Sequence, residues 1–490
     1  MIKKVLTPTL DKINSLFSRK DLILDVDHYL LKDYPIVVEK EKSEFSIKLN
    51  YKPYKGFNSS QLHTIELPQP IRLYNDTETY FIPDNSIRLN QQYFDFDESH
   101  STVRISGSLT RLSTSELKAS WEQKYLRFII PLTRAVPEMR NIRGFTFDAD
   151  MLLKGKQLIK LKINDCNIHF ITFTIDGDSY IAIDTVERYS QPDFDKICHA
   201  IVIGFGFLYG NVYLDEGCIL SSNDENFEVV ENIRYSTYRE SIVTGYRIHT
   251  TNPYSVMNLT GVTEEEIDRR QQEAQGWTNE IIEIESEFFS KLCEYLANNE
   301  PISRAALITL QGNMLSLELK GSAYSTALEA MTDVIMEEFK VNRPKPISKA
   351  DFKKLRDELI KILDQYLPAT SENETARKIF TIRINDLNSP TNTSKLQKAF
   401  ELVGYTLNSY EMDCLNARNK FQHGLLPISD SSDDAAFKEI YFICIVMHRL
   451  IYTLILHKIG FKGYIINYPQ IHNGITKRDL NEKEFYGINK

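Results

Sequence analysis

Cysteine is scarce in this chain: six in 490 residues, at Cys166, Cys198, Cys218, Cys293, Cys414 and Cys444. None stands in a Cys-x-x-Cys pair, so a zinc site built from cysteines alone is excluded, and a disulfide framework is not expected. Sparse thiols fit a reducing compartment, and a cytoplasmic protein is expected. The N-terminal stretch "MIKKVLTPTLDKINSLF" lacks an unbroken apolar core and a small-residue cleavage site, so it is not read as a secretory signal. No apolar run reaches the roughly 20 residues of a membrane span. The longest, "YFICIVMHRLIYTLIL" (441–456), carries His448 and Arg449 in its middle and reads as the central helix of a bundle. Basic charge is also lacking: the chain carries a net charge of -9. That acidity is unevenly placed. Residues 301–490 hold 25 Lys and Arg against 22 Asp and Glu, a net +3, which leaves -12 on residues 1–300. Contact with RNA is therefore compatible only with the C-terminal part.

What the chain does contain is a change of period. Up to about residue 260 the hydrophobic residues alternate in short runs rich in β-branched and aromatic residues: "DLILDVDHYL", "EFSIKLNY", "STVRISGSL", "YLRFIIPL", "GFTFDAD", "QLIKLKI" and "IHFITFTIDGDSYIAIDTV". Asp176-Gly177, Asn164-Asp165 and Pro83-Asp84-Asn85 mark turns between them. No helical crossovers separate these runs, so a mostly antiparallel sandwich or barrel is expected, with one helical insertion near "TSELKASWEQKY". "GFGFLYG" at 204–210 has the spacing GxGxxxG with no helix signal after it. It reads as glycines that let aromatic strands pack closely, not as a nucleotide loop. "FDFDESH" (94–100) reads as a solvated strand edge and not a metal site.

Beyond residue 260 the period is helical. Ile281, Ile284, Phe288, Leu292 and Leu296 share one face of a predicted helix. Further helices are predicted over "SAYSTALEAMTDVIMEEF", 349–366, 374–386 and 394–404, with Ser371 and Glu374 at capping-box spacing. The fold class is α+β multidomain: a β-rich region at 1–260, one domain or two, and an all-α region at 261–490.

In that region "NSYEMDCLNARNKFQHGLLP" stands out. Asn408 and Glu411 are placed to cap a helix reciprocally, and Gly424 and Pro427 to end it after His423. Arg418 and His423 are five residues apart. With 23 Arg and 10 His in the chain, chance supplies that spacing about half a time, so context must carry it. The helix geometry sets the two side chains about 140° apart, so they do not naturally converge on one small site, though the helix end at Gly424 allows some adjustment. Asn416, Asn419, Lys420 and His423 fall on one polar face; Cys414, Ala417 and Phe421 fall on an apolar one.

The stretch "RNKFQHG" (418–424), near the end of a helix in an all-α region, resembles the motif of HEPN-superfamily ribonucleases: an Arg followed by a polar residue, four to six residues between that Arg and a His, and often Gly after the His. The order of a β-rich region before the helices, with "YSTALEAMTDVI" and "TARKIFTIRINDL" as bundle helices, is similar to the ApeA-like anti-phage proteins. The resemblance implies a HEPN-type bundle and a homodimer through it. It also implies a metal-independent endoribonuclease, without cofactor or membrane, serving abortive infection as an antiviral defence. RNA, possibly tRNA, would be the substrate and a phage-derived protein the trigger sensed by the β-rich half. His423 would act as general acid/base, Arg418 as phosphate clamp and Asn419 as positioning residue, with Lys420 and Asn416 contacting RNA. The products would be a 2′,3′-cyclic phosphate and a 5′-OH. The competing reading is a HEPN domain kept as a non-catalytic dimerisation or RNA-binding module. His448 and Arg449 are read as satisfied core groups before they are read as cleft residues.

Overall fold

The computed structural model describes residues 2–25, 34–42, 44–51, 70–96, 101–116, 121–132, 139, 141–145, 158–251, 263–277, 281, 283–340, 346–389, 392–422 and 433–489. The chain divides into two compact units, Met1–Asn298 and Asn299–Lys490.

The first unit runs α1 (Ile2–Phe17), β1 (Lys20–Leu24), β2 (Ile36–Glu41), β3 (Glu44–Tyr51), β4 (Ile71–Tyr74), β5 (Thr79–Ile82), β6 (Ile87–Phe96), β7 (Ser101–Leu109), β8 (Arg111–Ser113), β9 (Tyr125–Leu132), β10 (Leu158–Ile163), β11 (Cys166–Ile175), β12 (Asp178–Thr185), α2 (Gln191–Tyr209), β13 (Asn211–Val212), β14 (Glu216–Ser222), β15 (Asn232–Thr237), β16 (Ile242–Val243), α3 (Glu264–Trp277) and α4 (Ser286–Asn298). Among the described residues, 14 strands form one antiparallel sheet in the order β10-β11-β12-β9-β14-β15-β8-β5-β4-β1-β2-β3-β7-β6, which does not close into a barrel. The turns read from the sequence are the ones used. Asn164 and Asp165 both have positive φ (47° and 62°), as do Asp176 and Gly177 (52° and 95°). That is the type I′ geometry whose twist suits a two-residue hairpin.

Three expectations for this region need correction. It contains helices: α1 supplies Leu6, Leu10, Ile13 and Leu16 to the same core as Leu22, Val38, Phe45, Leu73 and Tyr235 of the sheet. Its Thr9 hydroxyl accepts from Arg127 Nη1 at 2.8 Å, while Arg127 Nε and Nη2 hold Asp184 at 2.8 Å each. The glycines of "GFGFLYG" lie on α2, which is apolar all round because it is buried nearly all round. A Cβ at Gly204 would stand 3.2 Å from Cys293 Sγ, and one at Gly206 would stand 2.3 Å from Val212 Cγ2, so the glycines do permit close packing, though of a helix. Gly210 ends that helix in the left-handed conformation at φ 78°. Finally, residues 121–123 of the expected insertion form a bend and turn, and 117–120 lie outside the described residues. So does most of "GFTFDAD", of which Phe145 makes a single bridge to Leu158.

The two compact units divide after Asn298, while the change of period read from the sequence lies near 260. Helix α4 belongs with the sheet: its Ser290 hydroxyl accepts from the backbone N–H of Lys162 on β10 at 3.2 Å, and Cys293 packs on α2. The helix starts at Ser286; Ile281 and Ile284 are buried ahead of it, Ile284 in a bridge to Ile142.

The second unit contains α5 (Glu300–Gly312), α6 (Leu317–Glu338), α7 (Lys349–Tyr366), α8 (Glu374–Asp386), α9 (Asn392–Leu402), α10 (Ser409–Gln422), α11 (Asp433–Lys458), β17 (Gly463–Ile466), α12 (Tyr468–Ile471), α13 (Asn473–Thr476) and β18 (Phe485–Ile488). Helices α5, α6, α9, α10 and α11 pack on one another, and β17 pairs with β18. Of the most apolar window of α11, 89% is buried, so this helix is the centre of the bundle. The capping box expected at Ser371 and Glu374 is absent: Ser371–Asn373 is a 3-10 turn and Asn373 precedes α8.

Candidate functional site

Helix α10 is fixed at both ends. At its start Asn408 and Glu411 form the reciprocal cap: Glu411 N–H donates to Asn408 Oδ1 and Asn408 N–H to Glu411 Oε2, each at 3.0 Å. Glu411 has no exposed surface, and its Oε1 also accepts from the Tyr405 hydroxyl at 2.7 Å and from Arg449 Nη2 at 2.9 Å. Arg449 Nη1 donates to Asn467 Oδ1 at 2.8 Å and Glu482 Oε2 at 2.7 Å, and the guanidinium lies 4.5 Å over the Tyr486 ring. The start of α10 is thus tied to α11 and β18. At its end Phe421 rests on Gly321 of α6, where a Cβ would come within 2.6 Å of the ring. The Phe421 carbonyl accepts from the Ser322 hydroxyl at 2.9 Å.

Between these anchors the helix sorts its side chains by period. Glu411, Cys414, Leu415, Arg418 and Phe421 are buried on one stripe. Asn416, Asn419 and Lys420 are exposed on the other. Three of the predicted site residues therefore share a solvent face, while Arg418 turns away from it. Arg418 is 0% exposed. Its Nη1 donates to Glu329 Oε1 of α6 at 2.5 Å. His423 lies outside the described residues, as do Gly424 and Pro427.

The remaining donors of Arg418 set it apart from the other buried arginines. Arg127 bonds through all three nitrogens, and Arg449 through both terminal ones. Arg418 leaves Nε and Nη2 without a partner among the described residues. A buried donor without an acceptor costs about 1–3 kcal/mol, so two on one charged group are a local burden that packing alone does not explain. Scanned against family models, curated proteins and solved structures, the chain gave no match.

Glu329 was not foreseen from the sequence. The signal was there: it is the single charged residue between Tyr324 and Thr332 on an otherwise apolar-to-neutral helix stretch. His448 and Arg449 belong to the bundle core. His448 packs against the rings of Tyr324, Tyr452 and Tyr468. Burial, with Lys320 as a lesser contributor, pushes it down to about 3, so it is neutral at physiological pH. His472 contacts the Tyr441 hydroxyl through Nδ1 at 2.8 Å, and His457 packs on Tyr405. Burial raises the Cys414 thiol beyond its usual range, so the cysteine on this helix is not a nucleophile at neutral pH. No group of three His, Cys, Asp or Glu among the described residues is arranged to hold a metal ion.

Proposed function

We propose that this protein is a metal-independent endoribonuclease of the HEPN type, acting as an abortive-infection effector in the cytoplasm. In this reading the second unit is a HEPN-type bundle that works as a homodimer, and the β-rich unit, folded as a sandwich, senses a phage-derived trigger. The observation that carries the reading is the half-met guanidinium of Arg418. A charge held by one carboxylate, with two donor nitrogens left over in a buried setting, is prepared for a further oxygen acceptor such as a phosphate. The exposed face of Asn416, Asn419 and Lys420 is polar and can contact an RNA backbone.

The chemistry asks little of the protein. His423 takes the proton of the ribose 2′-OH as the 2′ oxygen bonds to phosphorus. The bond from phosphorus to the 5′ oxygen breaks, and that oxygen receives a proton. Arg418, aligned by Glu329, stabilises the charge on the phosphate oxygens once the substrate opens a path to it, and Asn419 orients the phosphate. A second reading, a non-catalytic HEPN module that binds RNA, has one observation in its favour: Arg418 is closed from solvent.

The test is the pair His423→Ala and Arg418→Ala, expressed in cells with the trigger, with sequencing of cleaved RNA ends. Wild type yields 2′,3′-cyclic phosphate ends and growth arrest, and both variants lose them. Cleavage that survives His423→Ala refutes the catalytic reading, and RNA that is bound but never cut by wild type favours the second one.

A further inference from the structure

The guanidinium of Arg418 has two edges in different states. Nη1 donates to Glu329 Oε1, while Nε and Nη2, which lie side by side, have no partner among the described residues. Arg127 shows what that side edge takes in this chain: its Nε and Nη2 hold the two oxygens of Asp184, each at 2.8 Å. A phosphodiester presents two non-bridging oxygens in the same way, so the empty edge of Arg418 is a seat for a two-oxygen anion. The seat is shut. Arg418 has no exposed surface, and the member of the pair that reaches solvent is Glu329, with 28% of its side chain exposed. The way in from water therefore runs past the carboxylate. The helix backbone is poorly placed to move aside. The start of α10 is tied through Glu411 to Tyr405 and Arg449, and its end through Phe421 to Gly321 and Ser322 of α6. The Glu329 side chain is the smallest group whose movement opens the seat.

We infer, resting on the nuclease reading for the identity of the substrate, that Glu329 is a gate. Its carboxylate keeps the Arg418 seat closed in the resting protein, and the phosphate of RNA enters as that carboxylate swings out to water. Opening alone strands a buried charge, and that penalty holds the gate shut. An oxyanion arriving on Nε and Nη2 keeps the guanidinium paired while Glu329 leaves, so loading favours the open form. Charge works in the same direction. With Glu329 in place the pair is neutral and draws no anion. With the carboxylate turned out, the positive charge of Arg418 faces the opening unopposed. Glu329 thus aligns Arg418 through Nη1 and regulates access to its other edge.

The experiment reads access to Arg418 directly. The full chain is treated with phenylglyoxal, a dicarbonyl that condenses with accessible guanidinium groups, and labelling is followed at each arginine by peptide mass spectrometry. In wild type, Arg418 is expected to label more slowly than the exposed Arg383 by about tenfold or more. Glu329→Gln keeps the shape of the side chain and removes its charge. It is expected to raise Arg418 labelling by about tenfold, and inorganic phosphate is expected to slow that labelling again. Glu338→Gln controls for general loosening: Glu338 is on the same helix and pairs with Lys458, and its change should leave Arg418 protected. If circular dichroism shows Glu329→Gln unfolded, Glu329→Asp, which withdraws the charge by one methylene, should label faster than wild type. In cells without trigger, Glu329→Gln is expected to cut RNA where wild type does not. Unchanged Arg418 labelling in the folded Glu329 variant, equal labelling in Glu338→Gln, or no protection by phosphate would each overturn the gate. So would a labelled Glu329→Gln that cuts no RNA while wild type with trigger does. Wild type that cuts no RNA even with trigger removes the nuclease reading instead, and the labelling with phosphate protection still decides the gate.

Discussion

Removing Glu329 strands a charge, and the consequence can be worked out from the structure. Arg418 has no exposed surface and one carboxylate partner, at 2.5 Å. Breaking a buried ion pair by deleting one member costs about 3–5 kcal/mol, because the survivor keeps its desolvation penalty. The Glu329 side chain is 28% exposed, so water can enter the space it leaves, and the cost of Glu329→Ala falls to about 2–3 kcal/mol. With a urea slope of about 1–3 kcal/mol per molar, the unfolding midpoint drops by roughly 1 M. The chain offers its own control. Both tryptophans, Trp121 and Trp277, are in the first unit, so their fluorescence follows that unit, while the helical circular dichroism is dominated by the second. Glu329→Ala should shift the helical transition and leave the tryptophan transition in place. Adding Arg418→Met should recover stability relative to Glu329→Ala alone, since no charge is then left inside. A stability for Glu329→Ala within about 0.5 kcal/mol of wild type, or a double variant less stable than either single, would refute the argument that this pair is a buried ionic constraint on the motif helix.

His448 gives a pH signature. Its folded form holds off protonation down to about 3 while an unfolded histidine titrates at 6.5. The unfolded chain therefore binds the proton first, and the stability contributed by the neutral ring is full above pH 6.5 and is lost as pH falls toward 3. The limit is roughly 5 kcal/mol. His448→Phe should flatten the pH dependence of the urea midpoint across this window, and an unchanged slope would contradict it. Gly321→Ala forces a methyl to within 2.6 Å of the Phe421 ring, so it should cost about 1–3 kcal/mol and displace the end of α10. If the nuclease reading holds, cleavage by Gly321→Ala falls by more than its stability does, measured at a urea-free temperature where both proteins stay folded.

Where structure depends on local period the sequence was legible to the residue. Strands β3, β7 and β9 and helices α7 and α8 begin and end where alternation or helical spacing places them. Helix α2 was not legible, because a helix buried all round has no apolar stripe to distinguish it from a strand run. Its glycines also lower helix propensity, which the close approach of α4 and β13 overrides. The division after Asn298 was hidden for a related reason. The period of α4 announces a helix, but nothing local says that its apolar face belongs on α2 and β10.

The orientation of Arg418 lies between these cases. The capping box fixes the start of α10 at Asn408, and the spacing from there puts residue 418 on the stripe of Glu411, Cys414, Leu415 and Phe421. An arginine on an apolar stripe either reaches out to water along its own stem or is held inside by a carboxylate. On the motif helix itself Glu411 is already taken by its cap, Tyr405 and Arg449, and Asp413 is exposed. The deciding group is Glu329, 89 residues upstream on α6. That distance is why motif spacing alone misplaces the side chain. It is also why Glu329, and not only the residues of the motif, governs whether Arg418 is a structural ion or a charge held ready for a phosphate.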